Sequence, residues 1–364
     1  MGRETAGVRV TDVEVRPLVI PFRFGFTHAL ASRARTEGLL VRVSTDAGVV
    51  GVGECAPREY VTGETLAGTR AAIAGAGCVG IEVEESLTRL ELPASARCGL
   101  ELALLDARGK LLGRSVVQLL GPPRCEQFVY SGVVEAGEGA ALRRYLRVMR
   151  SRGFRQVKLK VGRDAAADTA ALAMVREVLG DVELRVDANG AWSLAEALGR
   201  LPGLAAGGVV SVEQPLPRAA RADYPALTWA ARALGIGVIA DESVCDVEDA
   251  RWFAANAGAT GINLKVAKHG GISATLAVWA VARAAGLTCQ LGANVGETSI
   301  LAAAGRIVAG LCGPLTAYEG SYAGTLLTRD VADPPLSFGP GGVATLAEID
   351  RPGLGLQLTD PATW

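Results

Sequence analysis

The stretch that decides the fold is "FRQVKLKVGRD", residues 154–164. Apolar residues alternate with Lys158 and Lys160 in a run bounded by Gly162, the text of a short buried strand. Two lysines spaced by two share one face of a strand, roughly 6.6 Å apart at about 3.3 Å per residue. A buried face accepts ammoniums only where carboxylates or a chemical purpose meet them. The rest of the chain must supply one or the other.

Outward from this strand the pattern repeats. From about residue 128, β-rich runs recur about every 24 to 28 residues: "FVYSGVV", "QVKLKVG", "VELRVDAN", "VVSVEQP", "GVIADES", "GINLKVA", "LTCQLGA" and "LTAYEG". Most are separated by Ala/Leu-rich helical text such as "AALAMVREVLG". Strand–helix alternation carried to eight is the signature of parallel βα units and predicts an α/β fold, a (β/α)8-type TIM barrel over 126–335. A doubly wound open sheet is the competing architecture. Charge placement decides between them, because most of these runs carry their charged residues late or just after the apolar part. In a barrel those ends meet at one mouth.

The first 125 residues read differently. "VRVTDVEVRPLVI", "GLLVRVST" and "GVVGVGEC" predict a three-stranded antiparallel meander, with Asp46-Ala47-Gly48 as the turn between the last two. "PFRFGFTHALASRART" fits neither period and is expected to be a loop. Helices follow over "GETLAGTRAAIAGAG" and "ASARCGLELALLDARGKLLG", the second ending near Gly113. Residues 1–125 are expected to form a separate α+β domain.

Composition narrows the class. A chain of 364 residues, 49% hydrophobic with net charge −1, is globular and offers no general electrostatic case for nucleic acid or an anionic membrane. Seven scattered cysteines without CxxC spacing read as reduced core residues, not a disulfide framework or zinc site. No basic-then-apolar leader opens the sequence and charges interrupt every long apolar run, so a cytoplasmic protein is expected.

Around the expected mouth, Asp187, Glu213 and Asp241 come from three consecutive strands, one carboxylate each. An all-oxygen set without His or Cys suits a hard octahedral cation, Mg2+. Lys158 and Lys160 stand to one side and Lys265 to the other. A cation between lysines can hold a substrate carboxylate while a lysine on either face removes or returns the adjacent proton. At about 6.6 Å and an effective dielectric of about 20, Lys158 adds roughly 2.5 kcal/mol to the cost of charging Lys160. That assigns Lys160 as base and Lys158 as its modulator. A divalent cation stabilises the resulting enediolate by several kcal/mol, and a Lys base paired with Mg2+ is a general pattern of enolase-type sites.

With "KLK", "DAN", "EQP", "ADES" and "NLKVAKHGG" in order, the chain resembles the muconate lactonizing enzyme subgroup of the enolase superfamily, over nearly its whole length. The resemblance implies Asp187, Glu213 and Asp241 as ligands of Mg2+, with Mn2+ as a substitute. It implies Lys160 and Lys265 as an opposed acid/base pair, and Asn189 and Glu242 as partners behind the ligands. Lys268, outside its strand, divides evenly between such a role and a solvated surface. His269 is expected at the surface. The resemblance further implies that the α+β domain 1–125 is a capping domain and that the tail 336–364 packs back on it. The loops "FRFGFTHALASR" and "PREYVTGET" would close over substrate, bringing Phe26, His28, Tyr60 and Thr62 to it. The "VTGET" text resembles dipeptide epimerases. Those enzymes usually carry Asp-x-Asp at the eighth strand end to hold the substrate ammonium; here the text is Glu319-Gly320-Ser321. The seventh strand end departs too, with Gly296 near the usual Glu position and Glu297 one later. The implied activity is racemisation or epimerisation of an amino-acid derivative or small peptide, by a homo-oligomer acting on a small carboxylate. The alternatives are muconate-type cycloisomerisation and succinylbenzoate-synthase-like syn-elimination. Sugar-acid dehydration is disfavoured, because no histidine ends a strand, and a non-catalytic barrel would leave the converging charges without purpose.

Overall fold

The computed structural model describes residues 7–27, 32–135, 137 and 139–359, with the side chains of 26, 27 and 32 outside the description. The chain opens with β1 (Val10–Thr27), β2 (Ser32–Thr45) and β3 (Val50–Cys55), an antiparallel sheet in that order. The Asp46–Gly48 turn forms as expected: Gly48 takes φ 75° and its N–H donates to the Thr45 carbonyl at 3.0 Å.

The expected loop between the first two strands is instead largely strand. Pairing continues through Pro21↔Arg35 and resumes at Phe26↔Arg33 beyond a register shift. The irregular text marks this bulge, since four residues of β1 between the shifted pairs face a single residue of β2. Pro17 and Pro21 of β1 are tolerated because β1 is an edge strand of this sheet.

A helix, Ala94–Leu112, lies against this sheet and ends in a left-handed Gly113. It comes close enough that a Cβ on Gly53 would stand 1.9 Å from the Gly99 carbonyl oxygen, and one on Gly51 2.0 Å from that of Ala103. Glycines in β3 are what permit this contact, around a core of Val41, Val43, Leu100 and Leu104.

The remaining strands are β4 (Gln127–Val129), β5 (Gly132–Val134), β6 (Gln156–Lys160), β7 (Glu183–Asp187), β8 (Val209–Glu213), β9 (Gly237–Ala240), β10 (Gly261–Leu264), β11 (Thr288–Leu291) and β12 (Val343–Thr345). From β5 to β11 they form one curled parallel sheet in sequential order. Helical crossovers separate its strands, as parallel pairing requires. At its two edges Tyr318 makes parallel bridges to Leu291 on one side and to Tyr130 on the other. The first β-rich run, read as one strand, divides: β4 pairs antiparallel with β12 from the tail, and only β5 joins the parallel sheet. Further along the tail, the Leu354 N–H donates to Asp106 Oδ1 at 2.8 Å and the Val116 N–H to the Gly353 carbonyl at 2.8 Å. All seven cysteines are free. Among the described residues, no helix is long and apolar enough to cross a membrane.

Candidate active site

Register places the charges. Lys160 pairs with Asp187, and Asp187 with Glu213, so three strand ends carry one charged residue each at the same level. Asp241 follows β9, and Lys265 follows β10. The row runs Lys160, Asp187, Glu213, Asp241, Lys265, with an ammonium at each end. Lys160 Nζ lies 2.6 Å from Asp187 Oδ2 and 2.9 Å from Asn189 Oδ1. Lys265 Nζ lies 2.5 Å from Asp241 Oδ2.

Lys158 points the same way as Lys160, but deeper. Its ammonium meets Glu319 Oε2 at 2.5 Å, Glu213 Oε2 at 3.1 Å and Asp187 Oδ2 at 3.3 Å. Burial alone would lower its pKa; Glu213, Glu319 and Asp187 outweigh burial and hold it well above the usual lysine range. For Lys265, likewise, burial is outweighed by Asp241 and Glu242, and the pKa is raised. Burial would raise Asp187 and Asp241 too, but the lysines against each hold both below the usual carboxylate range. Glu213 goes the other way, pushed up by burial and then by Asp187. Lys158 is shared among three carboxylates, of which Asp187 also has Lys160 and Glu319 also has Arg185, so Glu213 is the one most readily protonated.

Three buried carboxylates from consecutive strands, an all-oxygen set, suit a divalent cation. As placed, each carboxylate is engaged by an ammonium, and among the described residues no three His, Cys, Asp or Glu side chains converge as a ready-made metal shell. A cation held here would take these oxygens from the lysines.

Behind the row stand its supports. Asn189, at φ 46°, donates its Nδ2 to Glu242 Oε1 at 3.0 Å and its backbone N–H to Asp187 Oδ1 at 2.9 Å. Lys268 is fully buried and clamps Asp241, donating to its carbonyl at 2.7 Å, its Oδ1 at 3.0 Å and the Asn263 carbonyl at 2.9 Å. The surface alternative for Lys268 is thereby removed. His269 is buried as well, contrary to expectation, because the turn Val266–His269 folds under the site. Its Nδ1 lies 3.0 Å from the Cys245 carbonyl, and burial, with Lys268 beside it, pushes its pKa down to about 3.

Beneath the row lies a polar layer that the sequence reading missed. Asn263 and Gln290 donate to Glu213 at 2.8 and 2.6 Å. Arg185 donates to Gln290 Oε1 and Glu319 Oε1, both at 2.9 Å, and to Ser131 Oγ at 2.8 Å. The available signal was one polar residue inside each of the apolar runs "LRV", "INL" and "CQL".

Lys158, Lys160, Asn189, Glu242 and Lys265 line a cavity of about 690 Å3. Tyr60, Glu297, Glu319 and Ser321 line it; Thr62 does not, its hydroxyl donating instead to the Arg58 carbonyl at 3.5 Å. His28 and the Phe26 side chain fall outside the described residues, and Phe24 of the same strand lines the cavity. Glu297 accepts the Asn294 N–H at 2.6 Å, and burial pushes its carboxyl up to about 8.

The chain is similar to known proteins over most of its length. Residues 7–121 match the mandelate racemase/muconate lactonizing enzyme N-terminal domain, and residues 141–362 match the enolase C-terminal domain-like family. The chain is 30% identical over 303 residues to a hydrophobic dipeptide epimerase of Enterococcus faecalis, covering 80% of this chain and 84% of that one. It is 30% identical over 352 residues to muconate cycloisomerase 1 of Pseudomonas putida, covering 92% of each. The crystal structure of dipeptide epimerase from Enterococcus faecalis, complexed with Mg and L-Leu-L-Tyr, superposes with a TM-score of 0.88 at 28% identity, over 96% of this chain and 99% of that one.

Proposed function

Since the chain belongs to the mandelate racemase/muconate lactonizing enzyme family of the enolase superfamily, we propose that it is an isomerase acting by two-base proton transfer. It removes the proton alpha to a substrate carboxylate, and the product is the racemised or epimerised amino-acid derivative or small peptide. The observation that carries this is the pair of ammoniums at opposite ends of the carboxylate row, Lys160 against Asp187 and Lys265 against Asp241.

Asp187, Glu213 and Asp241 would hold Mg2+. When bound it supplies positive charge to the substrate carboxylate and so stabilises an enediolate by several kcal/mol. Lys160, as the neutral amine, takes the α-proton on one face while the Lys265 ammonium returns one on the other, inverting the carbon; the reverse reaction exchanges their roles. Asn189 and Lys268 orient Asp187 and Asp241, fixing the row against which both lysines work. Cycloisomerisation is the second reading, favoured by the likeness to muconate cycloisomerase 1; there one lysine moves the proton and the other stabilises charge.

The same reading takes the parallel sheet and the Tyr318 segment as a closed (β/α)8-type barrel over 126–335, supported by the Tyr318 bridges. It takes 1–125 with 336–364 as the capping domain, supported by the contacts of the tail with Asp106 and Val116. It also places the protein in the cytoplasm as a homo-oligomer.

The test is α-proton exchange in D2O with Mg2+, followed by NMR on both enantiomers. Lys160→Ala should lose exchange from one enantiomer and Lys265→Ala from the other. Loss of neither would sink the two-base reading.

A further inference from the structure

Resting on that isomerase reading, we propose that Arg58 is a positioning residue for proton transfer at Lys265: its guanidinium ties residues 294–297, a wall of the cavity, to the antiparallel sheet β1–β3.

Residues 294–297 follow β11, the neighbour of β10, and so stand at the Lys265 end of the carboxylate row, away from Lys160 on β6. All four line the cavity. Strand pairing does not hold them, because β11 ends at Leu291. Alternate residues at the end of β3 and beyond it reach across instead. Glu54 accepts the Thr298 and Leu301 N–H groups at 3.1 and 3.3 Å, and the Ala56 carbonyl accepts Asn294 Nδ2 at 3.4 Å. Arg58 Nη2 donates to the Val295 carbonyl at 2.9 Å. Gly296, at φ 87°, is wedged against β1 and β2: a Cβ there would stand 2.9 Å from Phe22 Cζ and 2.9 Å from Thr36 Cβ.

Arg58 is the member of this seam that costs most to bury. It is 2% exposed, makes no ion pair among the described residues and leaves its Nε without a partner. Its guanidinium rests on carbonyls alone: Val295 through Nη2, and Glu37 of β2 at 3.2 Å and Pro57 at 2.8 Å through Nη1. An apolar side chain would fill the space at less cost, but would leave those carbonyls without this donor. The planar fork places one nitrogen on each side of the seam in fixed geometry, which a single ammonium cannot do. Arg58 also immediately precedes the short helix Glu59–Thr62, whose Tyr60 and Val61 line the cavity. One side chain thus sets two walls of the cavity against each other. Burial raises the Glu297 carboxyl, and Arg58 and Lys265 both pull it down, so the anchored segment carries a group that senses the anchor and the lysine together.

The test compares Arg58→Met and Arg58→Lys with the wild type. Amide hydrogen exchange read by mass spectrometry follows peptides covering 292–298, and calorimetry measures Mg2+ affinity. Exchange of the α-proton in D2O with Mg2+ is followed by NMR on both enantiomers across a panel of dipeptides and N-acetyl amino acids, with kcat and KM separated. In both variants amide exchange over 292–298 should accelerate at least about tenfold, while peptides of β6 to β8 and Mg2+ affinity keep their wild-type values. The kcat for the enantiomer that Lys265→Ala silences should fall at least about tenfold, and that for the other enantiomer should stay near wild type. An equal fall for both enantiomers overturns the proposal, as does unchanged amide exchange or full recovery in Arg58→Lys. If Arg58→Met does not fold, Gly296→Ala, which pushes the same segment off Phe22 and Thr36 with Arg58 in place, must show the same one-sided loss, and a loss on both sides or on neither overturns it. Absence of α-proton exchange in the wild type refutes the isomerase reading and leaves the anchoring of 294–297 to the amide exchange.

Discussion

Glu54, at the end of β3, is 1% exposed and reaches across to the start of the helix Ser299–Cys312. It accepts the Thr298 N–H at 3.1 Å, the Thr298 hydroxyl at 2.6 Å and the Leu301 N–H at 3.3 Å. Burial lifts its carboxyl from the ordinary 4.5 to about 7, these hydrogen bonds notwithstanding. Between those two values the folded protein holds a proton that the unfolded chain has released. Stability from this group is therefore complete below about pH 4.5 and is lost as pH rises through about 7. The loss is about 3 kcal/mol, or about 4 °C in Tm for 364 residues at about 2.1 cal/mol/K per residue. Glu54→Gln keeps the shape and an accepting oxygen but cannot ionise. By calorimetry, the variant should match wild type near pH 4.5 and exceed it by about that Tm difference near pH 8. Removing the Glu54 charge also relieves Glu297, which adds in the same direction. A Tm difference that is flat with pH, or a variant less stable at pH 8, would refute the reasoning.

Three further outcomes follow from the packing. Gly53→Ala drives a Cβ into the Gly99 carbonyl at 1.9 Å, and should cost about 3 kcal/mol or more in urea unfolding, or yield no soluble protein. Arg185→Met strands Glu319 Oε1, Gln290 and Ser131; about 3–5 kcal/mol of stability should go, read by the same unfolding curve. Lys268→Met frees the carbonyl and Oδ1 of Asp241, and Mg2+ affinity, measured by calorimetry, should fall at least tenfold.

Much of the site was legible because strand ends repeat. The period of βα units, the late position of each charge and the i, i+2 spacing of Lys158 and Lys160 are local properties of the text. They suffice to name Asp187, Glu213, Asp241, Lys160 and Lys265 as one group. Where the reading failed, the deciding contacts lay far apart in sequence. "PFRFGFTHALASRART" carries no strand period, yet pairing with β2 through a bulge makes most of it strand. His269 looks like surface polarity until the turn is seen folded beneath the site, and the same folding selects the supporting role of Lys268 over the surface one. Arg185, Gln290 and Ser131 become one network only when strands more than a hundred residues apart face the same interior. The role of Glu319 is of the same kind, because a carboxylate's availability depends on which cations reach it first. Local pattern determined which residues carry charge at the mouth. Tertiary packing decided which of those charges neutralise one another and which remain open to a substrate, since Coulomb and hydrogen-bond energies depend on distance and burial, and neither is written in the chain.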